Sequence, residues 1–297
     1  MVASVRRFAA SDTAAVLEDG VAVLEHVMPA ELCAALIPPI LAHPEKAAQP
    51  IGFYHAPAMF NTDSRYMQLA AHPALVDIAH RVIGGRTEPL LNASAVPLAN
   101  QLRMNDANGV VAEPGNRNGF WHCDGPTGQL HPARIPDFAT TLTMIWMLTE
   151  FSERTGATRV VPKSHKLRRL PPVDLQGPGI SLDGSSGADD VPLLGTPGCV
   201  AIIGNTTWHT LGLNSSSEPR VGLQCTLYPW FFGRSGGIQR PVSRGVWATL
   251  DPIAQELTKH MLEWGDAPVR DSLAPGDERA GMGPGFDASA QQQTPRL

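Results

Sequence analysis

The stretch Val221-Gly-Leu-Gln-Cys-Thr-Leu-Tyr228 alternates strictly between two classes of side chain. In an extended chain, successive side chains point to opposite faces, so one face carries only apolar residues and the other is small or polar. The apolar set is Val221, Leu223, Cys225 and Leu227, and the opposite set is Gly222, Gln224, Thr226 and Tyr228. This period of two predicts a strand that packs one face in a core and leaves the other free to line a site.

Other stretches of the same half of the chain also predict strands. Thr141-Leu-Thr-Met-Ile-Trp-Met-Leu148 is rich in β-branched and apolar residues, and Cys199-Val-Ala-Ile-Ile203 is a short apolar run between Gly198 and Gly204. Val21-Ala-Val-Leu24 predicts one more strand near the N-terminus. Several short strands separated by Gly, Pro and Asn turns are typical of a barrel or sandwich.

Helices are predicted on both sides of these strands. Pro29–Ile37 begins with a proline in its first turn, Pro73–Ile83 has apolar residues at helical spacing, and 251–264 predicts a last helix. The resulting fold class is mainly β with flanking helices (α+β). We expect one domain over 1–265 and a flexible or lid-forming tail over 266–297, where Pro, Gly, Gln and charged residues dominate.

Composition excludes several classes of protein. Hydrophobic residues make up 43% of the 297 residues, which excludes a disordered chain, and the formal net charge of −5 argues against a nucleic-acid partner. The one basic cluster is Lys163, Lys166, Arg168 and Arg169. The four cysteines form no C-x-x-C motif, and neither a signal peptide nor a membrane span is predicted. We therefore expect a cytoplasmic protein that binds a small molecule.

Phe120-Trp-His-Cys-Asp124 is the first candidate for chemistry. On a strand, His122 and Asp124 share a face and can supply two ligands to one metal. Chance alone yields roughly one such His-x-acid pair in a chain of this composition, and His43-Pro-Glu45 is the other pair, which we interpret as a helix end.

His209 and Arg220 complete the constellation. They flank a polar turn, Asn214–Pro219, and Arg220 lies on the polar face of the alternating strand. Two histidines and one carboxylate are the donor set of non-haem Fe(II) oxygenases, which leave open positions on the metal. A guanidinium beside such a site suits a bidentate grip on a carboxylate.

These residues carry a resemblance. His122-x-Asp124, then Gly156-Ala-Thr158-x-x-x-Pro162-x-Ser164-His165-Lys166, then His209 with Arg220 eleven positions later, resemble the phytanoyl-CoA dioxygenase family of Fe(II)/2-oxoglutarate oxygenases, and its natural-product tailoring members in particular. The resemblance covers roughly residues 10–235. It implies a double-stranded β-helix (jelly-roll, cupin-like) core.

The resemblance also implies roles for individual residues. It makes His122, Asp124 and His209 the iron ligands and Arg220 the anchor of 2-oxoglutarate, with O2 as the second co-substrate. It further places Thr158 and Gln101 near 2-oxoglutarate, and Tyr228 at a position where some natural-product members carry a pocket tyrosine. The chain departs from the family where Phe120 stands in place of a frequent glutamine. Asp124 is a true carboxylate, which argues against halogenation.

The expected reaction is oxidation of a C–H bond in a small, largely apolar molecule of secondary metabolism. Hydroxylation, desaturation, epoxidation, rearrangement and endoperoxide formation all stay open. Phe53, Tyr54 and Phe60 are candidate substrate contacts. The alternatives are an acyl-CoA hydroxylase of the same family, a cupin-like metalloenzyme that does not use 2-oxoglutarate, and a non-catalytic binding module. A homodimer is also possible, with the C-terminal segment covering a partner's pocket.

Overall fold

The strands of the protein are mostly antiparallel neighbours in a large sheet. The computed structural model describes residues 13–84, 102–124, 135–172, 175–229 and 241–262. Its strands are β1 (Val21–Leu24), β2 (Ala47–Gln49), β3 (Phe53–Ala56), β4 (Leu102–Ala112), β5 (Leu142–Met147), β6 (Arg159–Val160), β7 (Val191–Pro192), β8 (Val200–Gly204), β9 (His209–Thr210) and β10 (Arg220–Pro229). Gln101 and the tail over 266–297 lie outside the described residues.

The helices lie mainly before the first long strand and after the last one. They are α1 (Thr13–Asp19), α2 (Ala30–Leu41), α3 (Ser64–Ala70), α4 (Pro73–Ile83), α5 (Arg244–Thr249) and α6 (Pro252–Thr258). Short 3₁₀ helices span Met59–Asn61, Ser164–Leu167 and Lys259–Met261. Within the described ranges, no helix has the length and apolar character needed to cross a bilayer.

Two sheets make up the β architecture. The larger has the strand order β1-β8-β5-β10-β4-β3-β2, and the smaller has the order β7-β6-β9. Bridges from His122 to His209 and from Phe120 to Gln176 continue the smaller sheet. An apolar cluster that includes Ile145, Ala201 and Val160 packs between the two sheets. This pair of facing antiparallel sheets is the predicted jelly-roll arrangement.

The alternating stretch forms β10, the strand between β5 and β4 in the large sheet. Its apolar residues are all fully buried and pack against the helices, together with Leu36, Tyr66 and Leu75. Burial of a side chain of this size contributes roughly 1.5–3 kcal/mol relative to exposure, so the helical layer holds this face of the sheet firmly. The polar face of β10 is thereby turned toward the smaller sheet.

The predicted strands at 21–24, 141–148, 199–203 and 221–228 are confirmed, as are the helices at 29–37 and 73–83. The helix predicted over 251–264 is confirmed over Pro252–Thr258, with a 3₁₀ turn from Lys259 to Met261, and residues 263–264 lie outside the described part of the chain. The stretch Phe120–Asp124 forms single bridges rather than a regular strand. The sequence did not predict β4, although this strand pairs with β10 over its whole length. Its Asn105-Asp-Ala-Asn-Gly109 segment consists mostly of poor strand formers, and here tertiary pairing outweighs local preference.

Candidate metal centre

His122, Asp124 and His209 converge at one point between the sheets. Their candidate ligand atoms all lie within 4.8 Å of one another. Asp124 Oδ1 is 3.5 Å from His209 Nε2 and 3.9 Å from His122 Nε2. The backbones of His122 and His209 exchange two N–H···O bonds of 3.0 Å, which hold the two rings side by side. The fold therefore brings together the three candidate metal ligands, two imidazoles and one carboxylate, that the sequence indicated.

Each imidazole has one nitrogen committed to the backbone. Nδ1 of His122 lies 3.0 Å from the carbonyl oxygen of Phe120, and Nδ1 of His209 lies 2.9 Å from that of Thr207. A carbonyl oxygen only accepts, so each Nδ1 carries the proton and donates it. The Nε2 lone pairs are then left facing the centre, which is the tautomer that a metal requires.

The charges of the three groups also suit a cation. Burial opposes the charged form of Asp124, but the two histidines and a hydrogen bond from Thr143 outweigh it and hold the pKa of Asp124 well below its usual range. Burial, with the neighbouring His209, lowers the pKa of His122. For His209, Asp124 and the Thr207 carbonyl outweigh burial and raise the pKa. At neutral pH the site therefore presents a carboxylate beside a neutral His122.

A cavity of about 600 Å³ opens onto these three side chains. Its other lining residues are apolar or small (Pro50, Ile51, Phe53, Val110, Gly119, Phe120, Ile145, Leu211), neutral and polar (Gln49, His55, Thr143, Thr158, Thr210, Gln224) or cationic (Arg117, Arg220). The cavity therefore offers space for organic ligands next to the candidate metal ligands.

Arg220 is a buried cation in the wall of this cavity. Only 2% of it is exposed, and its guanidinium stacks on the Phe151 ring at 4.5 Å. Its hydrogen bond to Thr158 Oγ1 is long, at 3.4 Å, while Arg220 Nε and Thr210 Oγ1 are buried without a partner in the described part of the chain. Burial lowers the pKa of Arg220 to about 9. A carboxylate ligand would supply the missing partner.

The polar turn before β10 fixes the start of that strand. The Asn214 side chain donates to the carbonyl oxygens of Ala112 and Glu218 at 3.0 and 2.9 Å, and its backbone N–H donates to Asn116 Oδ1. These bonds join the end of β4 to the turn, so that Arg220 enters β10 opposite Ala112.

Thr158 owes its place beside Arg220 to a glycine two residues earlier. Gly156 has a φ of +76°, and a Cβ there would lie 2.7 Å from the backbone nitrogen of Asn214. Only glycine accepts both the left-handed conformation and this close approach. The glycine of the Gly-Ala-Thr motif thus lets the chain pass the Asn214 turn and present Thr158 to the cavity.

The candidate substrate contacts divide between cavity and core. Phe53 lines the cavity, but Tyr54 and Phe60 are buried in the core against the helices. On β3 the alternation of side chains turns Phe53 and His55 inward and Tyr54 away. Tyr228 lies near the other end of β10 from Arg220, and its hydroxyl is 3.0 Å from His260 Nε2. Contrary to expectation, Tyr54, Phe60 and Tyr228 therefore do not line the described cavity, and their role as substrate contacts stays a prediction.

Several residues that line the cavity were not named as candidate site residues from the sequence. Gln224 and Thr143 belong to predicted strands, and their inward faces follow from the period of two once β5 and β10 are paired. His55 and Arg117 carried no signal, because only the pairing of β3 with β4 and the loop after β4 bring them to the site.

Comparison with solved structures supports the same fold. The carbocyclase SnoK of nogalamycin biosynthesis, described as non-haem and α-ketoglutarate-dependent, aligns with a TM-score of 0.53 and 19% identity over 75% of this chain and 87% of that one. The epimerase SnoN, solved with Fe3+, α-ketoglutarate and a nogalamycin compound, aligns with a TM-score of 0.50 and 18% identity over 73% and 81% of the two chains.

Sequence comparison places the chain in a family. The Emericella variicolor dioxygenase andF is 29% identical over 164 residues, which are 54% of this chain and 49% of that protein, so the match spans about half of that relative's length. The family profile Phytanoyl-CoA dioxygenase (PhyH) matches residues 16–222, which is most of the chain. The chain therefore belongs to the phytanoyl-CoA dioxygenase family.

Proposed function

We propose that the chain is an Fe(II)/2-oxoglutarate-dependent dioxygenase that oxidises a C–H bond of a small organic substrate. The observation that carries this proposal is the presence, in one cavity, of a His/Asp/His donor set and a buried arginine that has no anionic partner among the described residues. Family membership and the fold shared with α-ketoglutarate-dependent enzymes support the same reaction class.

The residues present fit the two absent groups. His122 and His209 would hold Fe(II) through Nε2, and Asp124 through Oδ1, because these atoms converge and their remaining polar atoms are already bonded. Arg220, with Thr158 and Thr210, would bind the far carboxylate of 2-oxoglutarate. When bound, iron and 2-oxoglutarate supply the oxidising power that activates O2 against a C–H bond. The chain's own contribution is to orient these groups beside a mainly apolar cavity.

The cavity supports a neutral substrate that bears at least one oxygen function. Apart from the candidate metal ligands and Arg220, Arg117 is the charged residue in the described lining, and it is exposed and donates to the Pro50 carbonyl. His55 and Gln224 add neutral hydrogen-bonding groups to an otherwise apolar wall. We infer a mainly apolar natural product with a hydroxyl or carbonyl group as the substrate.

The basic cluster does not favour the acyl-CoA alternative. Lys166 is paired with Glu18 at 2.7 Å, and Lys163 lies 3.8 Å from both Glu18 and Asp19. Arg169 stacks over the Trp208 ring. No residue of the cluster lines the described cavity wall, so its charge is used to hold the N-terminal helix and neighbouring loops.

Formation of succinate tests the reaction class. The purified protein is incubated with Fe(II), 2-oxoglutarate and O2, alone, with neutral apolar compounds that carry a hydroxyl or carbonyl group, or with acyl-CoA thioesters, and succinate is quantified. We expect iron-dependent succinate that the neutral apolar compounds increase and acyl-CoA does not, and we expect none from Asp124→Ala. Metal-dependent conversion without succinate would instead support the other cupin enzymes. A protein that binds no metal would support a binding module.

We propose a cytoplasmic location, supported by four cysteines that are all free and buried, as in proteins of reducing compartments. Cell fractionation tests it. A homodimer is tested by light scattering of the purified chain.

A further inference from the structure

The two carboxylate oxygens of Asp124 have different surroundings. Oδ1 faces Nε2 of both His209 and His122, whereas Oδ2 accepts a hydrogen bond of 2.5 Å from Thr143 Oγ1. A hydroxyl-to-carboxylate bond of this length is in the range of strong charge-assisted bonds. One oxygen is therefore presented to the metal position while the other is held by the protein.

Thr143 is itself well fixed. It is 2% exposed and lies within β5, where its backbone pairs with Thr226 of β10 on one side and Ile203 of β8 on the other. Its branched Cβ restricts side-chain rotation, so the hydroxyl has little freedom to leave Asp124. A residue of the large sheet, Thr143, thus hydrogen-bonds Asp124, which lies on the side of the smaller sheet.

We infer that Thr143 is a positioning residue that restricts Asp124 to a single bond with the metal. The inference rests on the proposed function. Three protein donors would leave open positions on the iron for 2-oxoglutarate and O2. A carboxylate that bound through both oxygens would occupy one of those positions. By engaging Oδ2, Thr143 keeps the position open for the chelating co-substrate.

The isosteric variant Thr143→Val removes the hydroxyl and little else. Loss of a partner in the second layer around a metal typically costs 10- to 100-fold in affinity or activity. We expect the dissociation constant for 2-oxoglutarate on the Fe(II)-loaded protein to rise by about that factor. Thr143→Ser retains the hydroxyl and should restore binding to within about twofold of wild type.

The measurement is an anaerobic titration of each Fe(II)-loaded protein with 2-oxoglutarate, following the visible charge-transfer band of the chelate. A chelator competition first gives each protein's Fe(II) affinity, so that every sample is compared at full metal loading. Thr141→Val is the matched control, because Thr141 is a fully buried threonine two residues before Thr143 and its hydroxyl has no hydrogen-bond partner among the described residues. It should bind 2-oxoglutarate as wild type does.

Three results would bear on the inference. A weakened 2-oxoglutarate complex in Thr143→Val, with normal binding in Thr143→Ser and Thr141→Val, supports it. Unchanged binding in Thr143→Val while wild type gives the band overturns it and leaves the proposed function intact. If wild type itself binds Fe(II) without the band, the proposed function fails.

A crystal structure of the wild type with Zn(II) and 2-oxoglutarate is the second test, and it does not depend on the stability of a variant. Asp124 Oδ2 should remain bonded to Thr143 and lie outside the metal's coordination sphere. Coordination of the metal by both oxygens of Asp124 would overturn the inference.

Discussion

The two ends of the cavity are built in opposite ways. At the His/Asp/His end, the atoms that do not face the metal position are already bonded: each Nδ1 donates to a backbone carbonyl, and Asp124 Oδ2 accepts from Thr143. At the Arg220 end, a buried guanidinium has a ring beneath it and one long hydrogen bond. The first end is therefore held in place before a metal binds, whereas at the second end no described residue supplies an anion to the guanidinium.

This difference has an energetic consequence. A prepared donor set costs little reorganisation when a ligand arrives, which favours tight binding. An unmatched buried cation costs folding free energy until an anion pairs with it. We therefore expect a bound carboxylate to neutralise Arg220, so that 2-oxoglutarate raises the free energy of unfolding both by its own contacts and by removing the cost of this buried charge.

The largest effect is expected at the prepared end. Asp124→Ala removes the only carboxylate of the described donor set, so iron binding and 2-oxoglutarate turnover should fall by about a thousandfold or more, equivalent to ~4 kcal/mol. Iron content and succinate formation measure both. The melting temperature of the metal-free variant controls for folding, and retained turnover in a folded variant would remove Asp124 from the site.

Arg220→Gln addresses the opposite end. Loss of a charged hydrogen-bonding partner should raise the dissociation constant for 2-oxoglutarate about 10- to 100-fold and leave Fe(II) affinity unchanged. The free energy of unfolding of the ligand-free protein should increase, by on the order of 1–3 kcal/mol, because an unmatched buried charge is gone. Urea unfolding and ligand titration give the two quantities. A variant that binds 2-oxoglutarate normally would place the anchor elsewhere.

Asp106 should make the stability of the metal-free protein depend on pH. It lies in register with Thr226, and burial together with the Asp124 charge raises its pKa from 3.8 to about 7. The folded state therefore binds a proton more strongly than the unfolded state. The contribution of Asp106 to the free energy of unfolding of the metal-free protein is therefore fully present below pH ~4 and is lost as the pH rises through ~7. This contribution amounts to a few kcal/mol at most.

The isosteric variant Asp106→Asn should remove that pH dependence and unfold at higher urea concentration than wild type at pH 8. Unfolding curves at pH 5 and pH 8, measured in the presence of a chelator, provide the comparison. Parallel pH profiles for the two proteins would show that Asp106 is ionised in the fold.

Tyr228→Phe should have the smallest effect. The Tyr228 hydroxyl bonds His260 rather than facing the described cavity, so its loss should cost about 1 kcal/mol of stability and leave the KM for 2-oxoglutarate unchanged. Chemical unfolding and steady-state assays test the two halves of this expectation. A changed KM would return Tyr228 to the pocket.

The local sequence pattern was enough to predict β10 and its apolar and polar faces. It also predicted that His122, Asp124, His209 and Arg220 lie at one site. Each of these depends on the period of a strand or on residues that flank one turn. Tyr54 was assigned to the pocket because aromatic residues cluster there in sequence, but β3 turns every second side chain into the core.

What could not be predicted depends on pairing between distant segments. β4 is held as a strand by its neighbours despite its asparagines and glycine, and His55 reaches the cavity only because β3 pairs with β4. Thr143 illustrates the limit most clearly. Its inward face follows from the alternation of β5, but its contact with Asp124 requires the packing of one sheet against the other.

The most direct test of the central claim is an anaerobic titration of the metal-free protein with Fe(II) and then 2-oxoglutarate, followed by visible absorption. If the two ends form one site, the charge-transfer band of chelated 2-oxoglutarate should appear in wild type, disappear in His122→Ala, and require much more 2-oxoglutarate in Arg220→Gln. Iron binding without the band, or a band that is indifferent to Arg220, would contradict the account.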